Sequence, residues 1–163
     1  MIDSKIHLFH YTFFGDNMNI LVLNGPNLNL LGTREPEIYG LSSLNDIKNN
    51  LINKYPEINI SFKQSNSESE LITWIGESPE NFSGILINPA ALTHTSLGLY
   101  DALKAISKKV PAIEIHLSNT HSREEIRHKS LTAGACIGQI MGFQENSYFL
   151  GMRAMLDYLK FNK

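Results

Sequence analysis

The sequence predicts an α/β domain: a parallel five-stranded sheet with helices packed on both faces. Apolar runs of strand length alternate with amphipathic stretches of helix length along most of the chain. Two of the runs, Ile20-Leu21-Val22-Leu23 and Gly84-Ile85-Leu86-Ile87, are continuous, as strands buried on both faces are. Polar residues gather just after three of the runs, at the strand ends where open α/β sheets hold their ligands.

Each element has its own warrant. The first run is short, branched and stopped by Asn24-Gly25-Pro26, so it reads as a buried strand. Ser43-Leu44-Asn45-Asp46-Ile47 opens a helix with Leu44, Ile47, Leu51 and Ile52 on one face, and Tyr55-Pro56 ends it because proline cannot continue a helix. Ile58, Ile60 and Phe62 alternate with polar neighbours, the pattern of a strand near a sheet edge. Ser67 and Glu70 have the spacing of a capping box, with Leu71, Trp74 and Ile75 as the apolar stripe of the helix they open. The run ending at Asn88-Pro89 is the third strand. Thr93-His94-Thr95-Ser96 then leads into a helix carrying Leu99, Leu103 and Ile106, closed at Val110-Pro111.

Ala112-Ile113-Glu114-Ile115 is the fourth strand and delivers His116-Leu117-Ser118-Asn119 at its end. Ser122-Arg123-Glu124-Glu125 reads as a further capping box, which puts Arg127 and His128 on a short helix. Residues 135–141 read as the fifth strand. Tyr148, Met152, Met155, Leu156 and Leu159 line one face of a last helix. Parallel strands joined this way require right-handed crossovers.

Composition narrows the function. The chain has 163 residues, 42% of them hydrophobic and 18% charged, enough for one domain with a proper core. A net charge of −2 supplies no basic field for nucleic acid or an anionic membrane. The one cysteine, Cys136, lies in an apolar run and reads as a buried structural thiol, which suits a reducing, cytoplasmic setting. Lys5 and the apolar residues after it are faintly like a signal peptide, but two histidines interrupt them and no small-residue cleavage site follows. Residues 1–17 are therefore expected to be a disordered extension, with Met18 as the natural start and 18–163 as a single catalytic domain.

The polar clusters at three strand ends run from Asn24 to Tyr39, from Asn88 to His94, and from His116 to Ser118. In a parallel sheet these ends share one edge, so the clusters converge. The first holds Asn27, Arg34, Glu35 and Tyr39 on a loop flanked by Gly32 and Gly40, a segment expected to close over a substrate.

The order Asn-Gly-Pro-Asn-Leu-Asn-Leu-Leu-Gly-x-Arg-Glu-Pro-x-x-Tyr-Gly closely resembles the signature of the type II 3-dehydroquinate dehydratases. Asn88-Pro89 with Thr93-His94-Thr95-Ser96 and Asp101, and Glu114-Ile115-His116-Leu117-Ser118-Asn119 with Arg123 and Arg127, resemble the family's second and third motifs. The resemblance implies a flavodoxin-like three-layer sandwich. It also implies removal of water from 3-dehydroquinate to give 3-dehydroshikimate through an enolate, a shikimate-pathway step toward the aromatic amino acids, with no cofactor and no metal.

By that resemblance Tyr39 is the base, and Arg34 lowers its pKa. A drop of about 2 units corresponds to roughly 3 kcal/mol, within reach of a desolvated charge partner. Asn27 is the enolate stabiliser and His116 the general acid, with Glu114 orienting the imidazole. Leu117 and Ser118 match the positions that hold the substrate carboxylate, and Asn88, His94 and Arg127 those that bind its hydroxyls. Asp101 matches a residue that reaches a neighbouring subunit, so the expected partner is a second copy of the chain, in a dodecamer of trimers. Two departures stand out: the family usually has glycine near Ala90 and often an aromatic residue near Leu92. Ala90 is awkward if that position needs a positive φ.

Other readings fit less well. A flavodoxin-like small-molecule or nucleotide-binding module without dehydratase activity is the alternative, but neither Gly-x-Gly-x-x-Gly nor Gly-x-x-x-x-Gly-Lys occurs. A metal site built from His94, His116, His121 and His128 lacks a His-x-x-x-His pair or a cysteine cluster, and Arg34 and Arg127 would oppose a cation.

Overall fold

The structure is a computed structural model, and it describes residues 18–33 and 40–161. Five parallel strands, β1 (Asn19–Asn24), β2 (Asn59–Gln64), β3 (Gly84–Asn88), β4 (Ala112–His116) and β5 (Gly138–Met141), form one sheet in the order β2-β1-β3-β4-β5. This is the flavodoxin-like order. β2 is an edge strand, as its alternating pattern predicts, and it pairs with β1 from Asn19↔Asn59 to Asn24↔Gln64. The expected extension at residues 1–17 lies outside the described residues.

Among the described residues, four helices cover the sheet: α1 (Leu44–Lys54), α2 (Glu68–Glu77), α3 (Leu97–Ile106) and α4 (Asn146–Phe161). The period of two along β1 divides the core. Ile20 and Val22 pack with Ile47, Leu51, Met152 and Met155 on the α1/α4 face. Leu21 and Leu23 pack with Leu71, Ile75, Leu99 and Leu103 on the α2/α3 face. β4 follows the same rule, sending Ile113 and Ile115 to the first face. Alternation therefore sends Glu114 and His116 to the second, where Ala112 packs. A buried carboxylate on an apolar sheet face demands partners, and the site is built around them.

Helix starts follow side-chain capping. At α1 the Ser43 hydroxyl accepts from the Asp46 amide while the Asp46 carboxylate accepts from the Ser43 amide, a complete capping box. The box expected at Ser67 is only half formed. Ser67 accepts from the Glu70 amide, but the Glu70 carboxylate bonds the Ser65 hydroxyl instead of reaching back.

The box expected at residues 122–125 is absent. The Ser122 hydroxyl donates to Asn119 O, and single 3₁₀ turns at Thr120–Ser122 and Glu125–Arg127 replace the short helix, with His128 just past the second. Asn119 caps the first turn by accepting from the His121 amide, so the asparagine does the work assigned to the serine. Residues 135–137 do not join the fifth strand, because a 3₁₀ turn at Thr132–Ala135 precedes it. Ile52 is 37% exposed, outside the stripe of α1. No helix among the described residues is long and apolar enough to cross a membrane.

Candidate active site

Segments following β1, β3 and β4 meet at the carboxyl edge of the sheet. They enclose a cleft of about 240 Å³, with Asn27, Leu28, Asn88, Ala90, His94, His116, Leu117, Ser118, Arg123 and Arg127 among its lining residues. It lies where the chain, having crossed outward from β1 to β2, returns to β3 on the other side, the switch point at which such sheets bind ligands. The described parts of the three sequence clusters thus converge. Leu31, Thr120 and Arg123 also line the cleft. No site role was assigned to them beforehand, although Arg123 lies within the third motif.

Backbone geometry brings the walls together. The Gly25 amide donates to Asn88 O at 2.8 Å, and a Cβ at residue 25 would lie 2.4 Å from Pro89 O. Glycine is required there by close approach of the β1 and β3 loops as much as by turning. Asn27 has φ 66°, a left-handed conformation that asparagine tolerates, and its amide donates to Asn66 Oδ1 at 2.9 Å. Ala90 has φ 53°, so the position does carry the positive φ that makes alanine awkward.

Asn88 is held at both ends of its amide. Its Nδ2 donates to Tyr148 Oη at 3.1 Å and its Oδ1 accepts from the Ala90 amide at 3.2 Å. One N–H and one lone pair remain for a ligand. Asn24, at the end of β1, accepts from the Tyr148 hydroxyl, so both strand ends are tied to α4. His94 Nδ1 lies 2.8 Å from Lys129 O, which fixes its ring at the cleft wall.

The buried pair Glu114 and His116 sets the chemistry of the cleft. His116 Nε2 lies 2.7 Å from Glu114 Oε1, and Glu114 is fully buried. Burial alone would raise the Glu114 carboxyl, but the His116 hydrogen bond and charge, with the Thr132 and Ser130 hydroxyls, outweigh it and hold the group below its usual range. Glu114 is therefore ionised at neutral pH and can only accept, so Nε2 carries the shared proton. Nδ1 is the ring nitrogen left to exchange a proton in the cleft.

The other charged side chains lining the cleft are cationic, Arg123 and Arg127, and no carboxylate is among its described lining residues. Glu124 binds Arg127 Nε at 3.0 Å and stands 3.7 Å from Arg123 Nε, so one exposed carboxylate neighbours both guanidinium groups. Such a lining favours an anion. Asp101 is exposed on α3 and is not among the lining residues. Arg34 and Tyr39 lie outside the described residues, as does any closure of their loop. Among the described residues no group of three or more His, Cys, Asp or Glu is arranged to hold a metal ion.

The family model for "Dehydroquinase class II" matches residues 18–156. The chain belongs to the class II dehydroquinases. It is 56% identical over 145 residues to the 3-dehydroquinate dehydratase of Carboxydothermus hydrogenoformans, covering 88% of this chain and 93% of that one. It is 52% identical over 148 residues to that of Prochlorococcus marinus, covering 90% of this chain and all of the relative. The fold overlays the type II dehydroquinase of Butyrivibrio crossotus with a TM-score of 0.83 at 42% identity, over 87% of this chain and 99% of that one. A second dehydroquinase structure, from Propionibacterium acnes, gives 0.78 at 36% identity, over 89% and 99%.

Proposed function

We propose that this class II dehydroquinase is a 3-dehydroquinate dehydratase, a hydro-lyase of the shikimate pathway, and that the cleft at the carboxyl edge of the sheet is where it works. Family membership supports the activity. The pairing of His116 with Glu114 in the same cleft as Asn27 carries the assignment of the site.

The reaction removes a proton beside a ketone and expels a hydroxyl from the adjacent carbon. Tyr39 takes the proton, with Arg34 favouring its phenolate. Asn27 holds the enolate oxygen, a contribution on the order of 3 kcal/mol for a donor aimed at developing oxyanion charge. As an imidazolium, His116 gives its Nδ1 proton to the departing hydroxyl, which leaves as water, and keeps its Nε2 proton on Glu114, so the ring holds its orientation as it becomes neutral.

Ser118 and the backbone at Leu117 hold the substrate carboxylate, in a cleft whose cationic lining suits it. Asn88, with one N–H and one lone pair unused, His94 and Arg127 bind the ring hydroxyls. No step calls for a metal or an organic cofactor.

The working unit is a homo-oligomer, a dodecamer of trimers, in which Asp101 reaches a neighbour's cleft. Leu97, one turn earlier on α3, is 65% exposed, and an apolar side chain beside an exposed carboxylate suits a face covered by a second copy. The single cysteine, which can form no intramolecular disulfide, accords with a cytoplasmic workplace.

Mixing the purified protein with 3-dehydroquinate in EDTA tests the activity, because the product carries a conjugated chromophore that the substrate lacks. Ultraviolet absorbance is expected to rise. A flat trace from protein of the expected oligomeric mass rejects the reading.

A further inference from the structure

Glu114 is surrounded more completely than an orienting carboxylate needs to be. Its Oε1 accepts from His116 Nε2 at 2.7 Å, Gln139 Nε2 at 2.7 Å, and the hydroxyls of Thr93 and Ser130 at 2.9 Å each. Its Oε2 accepts from the Thr132 hydroxyl.

These donors come from separate parts of the fold. Thr93 belongs to the 3₁₀ turn after β3, and Ser130 and Thr132 to the segment before β5. Gln139 is the cross-strand partner of Glu114 in the β4–β5 register, so its amide is delivered on the same sheet face. The segment is fixed in turn, because the Leu131 amide donates to Thr93 O at 2.7 Å and the Ala133 amide to Ser130 Oγ at 2.9 Å. Thr93 and Thr132 are fully buried, which places two hydroxyls against a carboxylate with no water to replace them.

We propose that Thr132 and Gln139 are positioning residues of the dehydratase, which stabilise the charge of Glu114 by donating to both of its oxygens so that it remains a fixed anion and never takes the His116 proton. The inference deepens the assignment of His116 as the general acid and rests on it for its catalytic consequence. A carboxylate with open lone pairs could accept the ring proton and leave the imidazole without an anchoring charge. One ringed by hydroxyl and amide donors holds its charge and anchors the Nε2 proton, while the second proton of the imidazolium, on Nδ1, goes to the departing hydroxyl. The titratable groups facing Glu114 are His116 on its own strand and the Cys136 thiol just before β5. That thiol is pushed far up by burial and then by Glu114 itself, so it stays neutral and competes for no proton.

The test compares wild type with Thr132→Val and Gln139→Leu, each checked for wild-type oligomeric mass, and with Thr132→Ser as the conservative rescue. Two readouts are taken across acid pH. The first is the protonated-carboxyl infrared band of Glu114, assigned by its loss in Glu114→Gln. The second is the acid limb of the kcat profile with 3-dehydroquinate.

In Thr132→Val and Gln139→Leu both are expected to move upward by about one pH unit, the equivalent of one lost hydrogen bond to a charged group. KM should change less than twofold, and Thr132→Ser should restore both positions. A purely structural role would lower thermal stability and leave both readouts in place, and that result overturns the proposal. An infrared shift without a kinetic one would support the stabilisation of the Glu114 charge by these donors and reject His116 as the acid, so the two failures are distinguishable.

Discussion

Tyr148 on α4 donates its hydroxyl proton to Asn24 Oδ1 at the end of β1, 2.6 Å away and 124 residues earlier in the chain. The same oxygen accepts from Asn88 at 3.1 Å, so one phenol ties the last helix to the ends of the adjacent strands β1 and β3, beside which the cleft opens. Burial pushes this phenol well above its ordinary range, against the weaker pull of the Asn88 hydrogen bond, and it remains a donor at any working pH.

Tyr148→Phe removes the hydroxyl and keeps the ring. Two buried amides then lose a partner, and unfolding in urea is expected at a stability lower by about 1–3 kcal/mol. Because Asn88 lines the cleft, KM should also rise. A midpoint equal to wild type would mean that the buried amides find new partners.

Ala90 stores strain in the left-handed region at φ 53°. Ala90→Gly is expected to stabilise the fold by about 0.5–1 kcal/mol, since the steric cost of Cβ there slightly exceeds the extra chain entropy that glycine must lose. Ala90→Val, β-branched at a positive φ, should be less stable than wild type. Urea midpoints of the three proteins in the order Gly, Ala, Val would confirm the strain, and the reverse order would refute it.

The depressed carboxyl of Glu114 predicts acid lability. Its folded pKa is below the ordinary 4.5, so the unfolded chain binds more protons in the window between the two values. The stability this group adds is complete above about pH 4.5 and is lost as pH falls through the folded value. Glu114→Gln should therefore show a shallower fall of unfolding free energy across that window, whatever its stability at neutral pH. Parallel curves for the two proteins would show that acid unfolding is governed by other carboxylates.

Cys136 should be nearly inert. The residue is partly buried, less than its apolar run suggests, but desolvation and the charge of Glu114 push its thiol far up, and Sγ is 3.5 Å from Thr132 O. Reaction with an aromatic disulfide reagent at pH 8 is expected to be slow in native protein and fast in denaturant. Equal rates would place the thiol at the surface.

Most of the architecture was legible because it rests on short-range pattern. The alternation Ile20, Leu21, Val22, Leu23 splits into two core faces as the period of a strand requires. The polar ends Asn88 and His116 meet because parallel strands share an edge. What the sequence could not show depends on contacts between distant segments. Ser122 has the spacing of a helix cap, yet a neighbouring carbonyl takes its hydroxyl and Asn119 caps instead. Tyr148 looks like one more apolar helix residue until its hydroxyl is found between Asn24 and Asn88. Gln139 and Thr132 carry no local signal at all, since their task is defined only by the register of β4 and β5. Arg34 and Tyr39 rest on the family resemblance and lie outside the described residues.

The most direct test of the account is the initial rate of product absorbance from 3-dehydroquinate for wild type, Tyr39→Phe and His116→Ala, each at wild-type oligomeric mass. If the two residues are base and acid, each variant should lose at least about a hundredfold in kcat, the usual scale for a positioned proton-transfer group. A variant that turns over within a few-fold of wild type would contradict the role assigned to that residue and move the proton transfer elsewhere in the cleft.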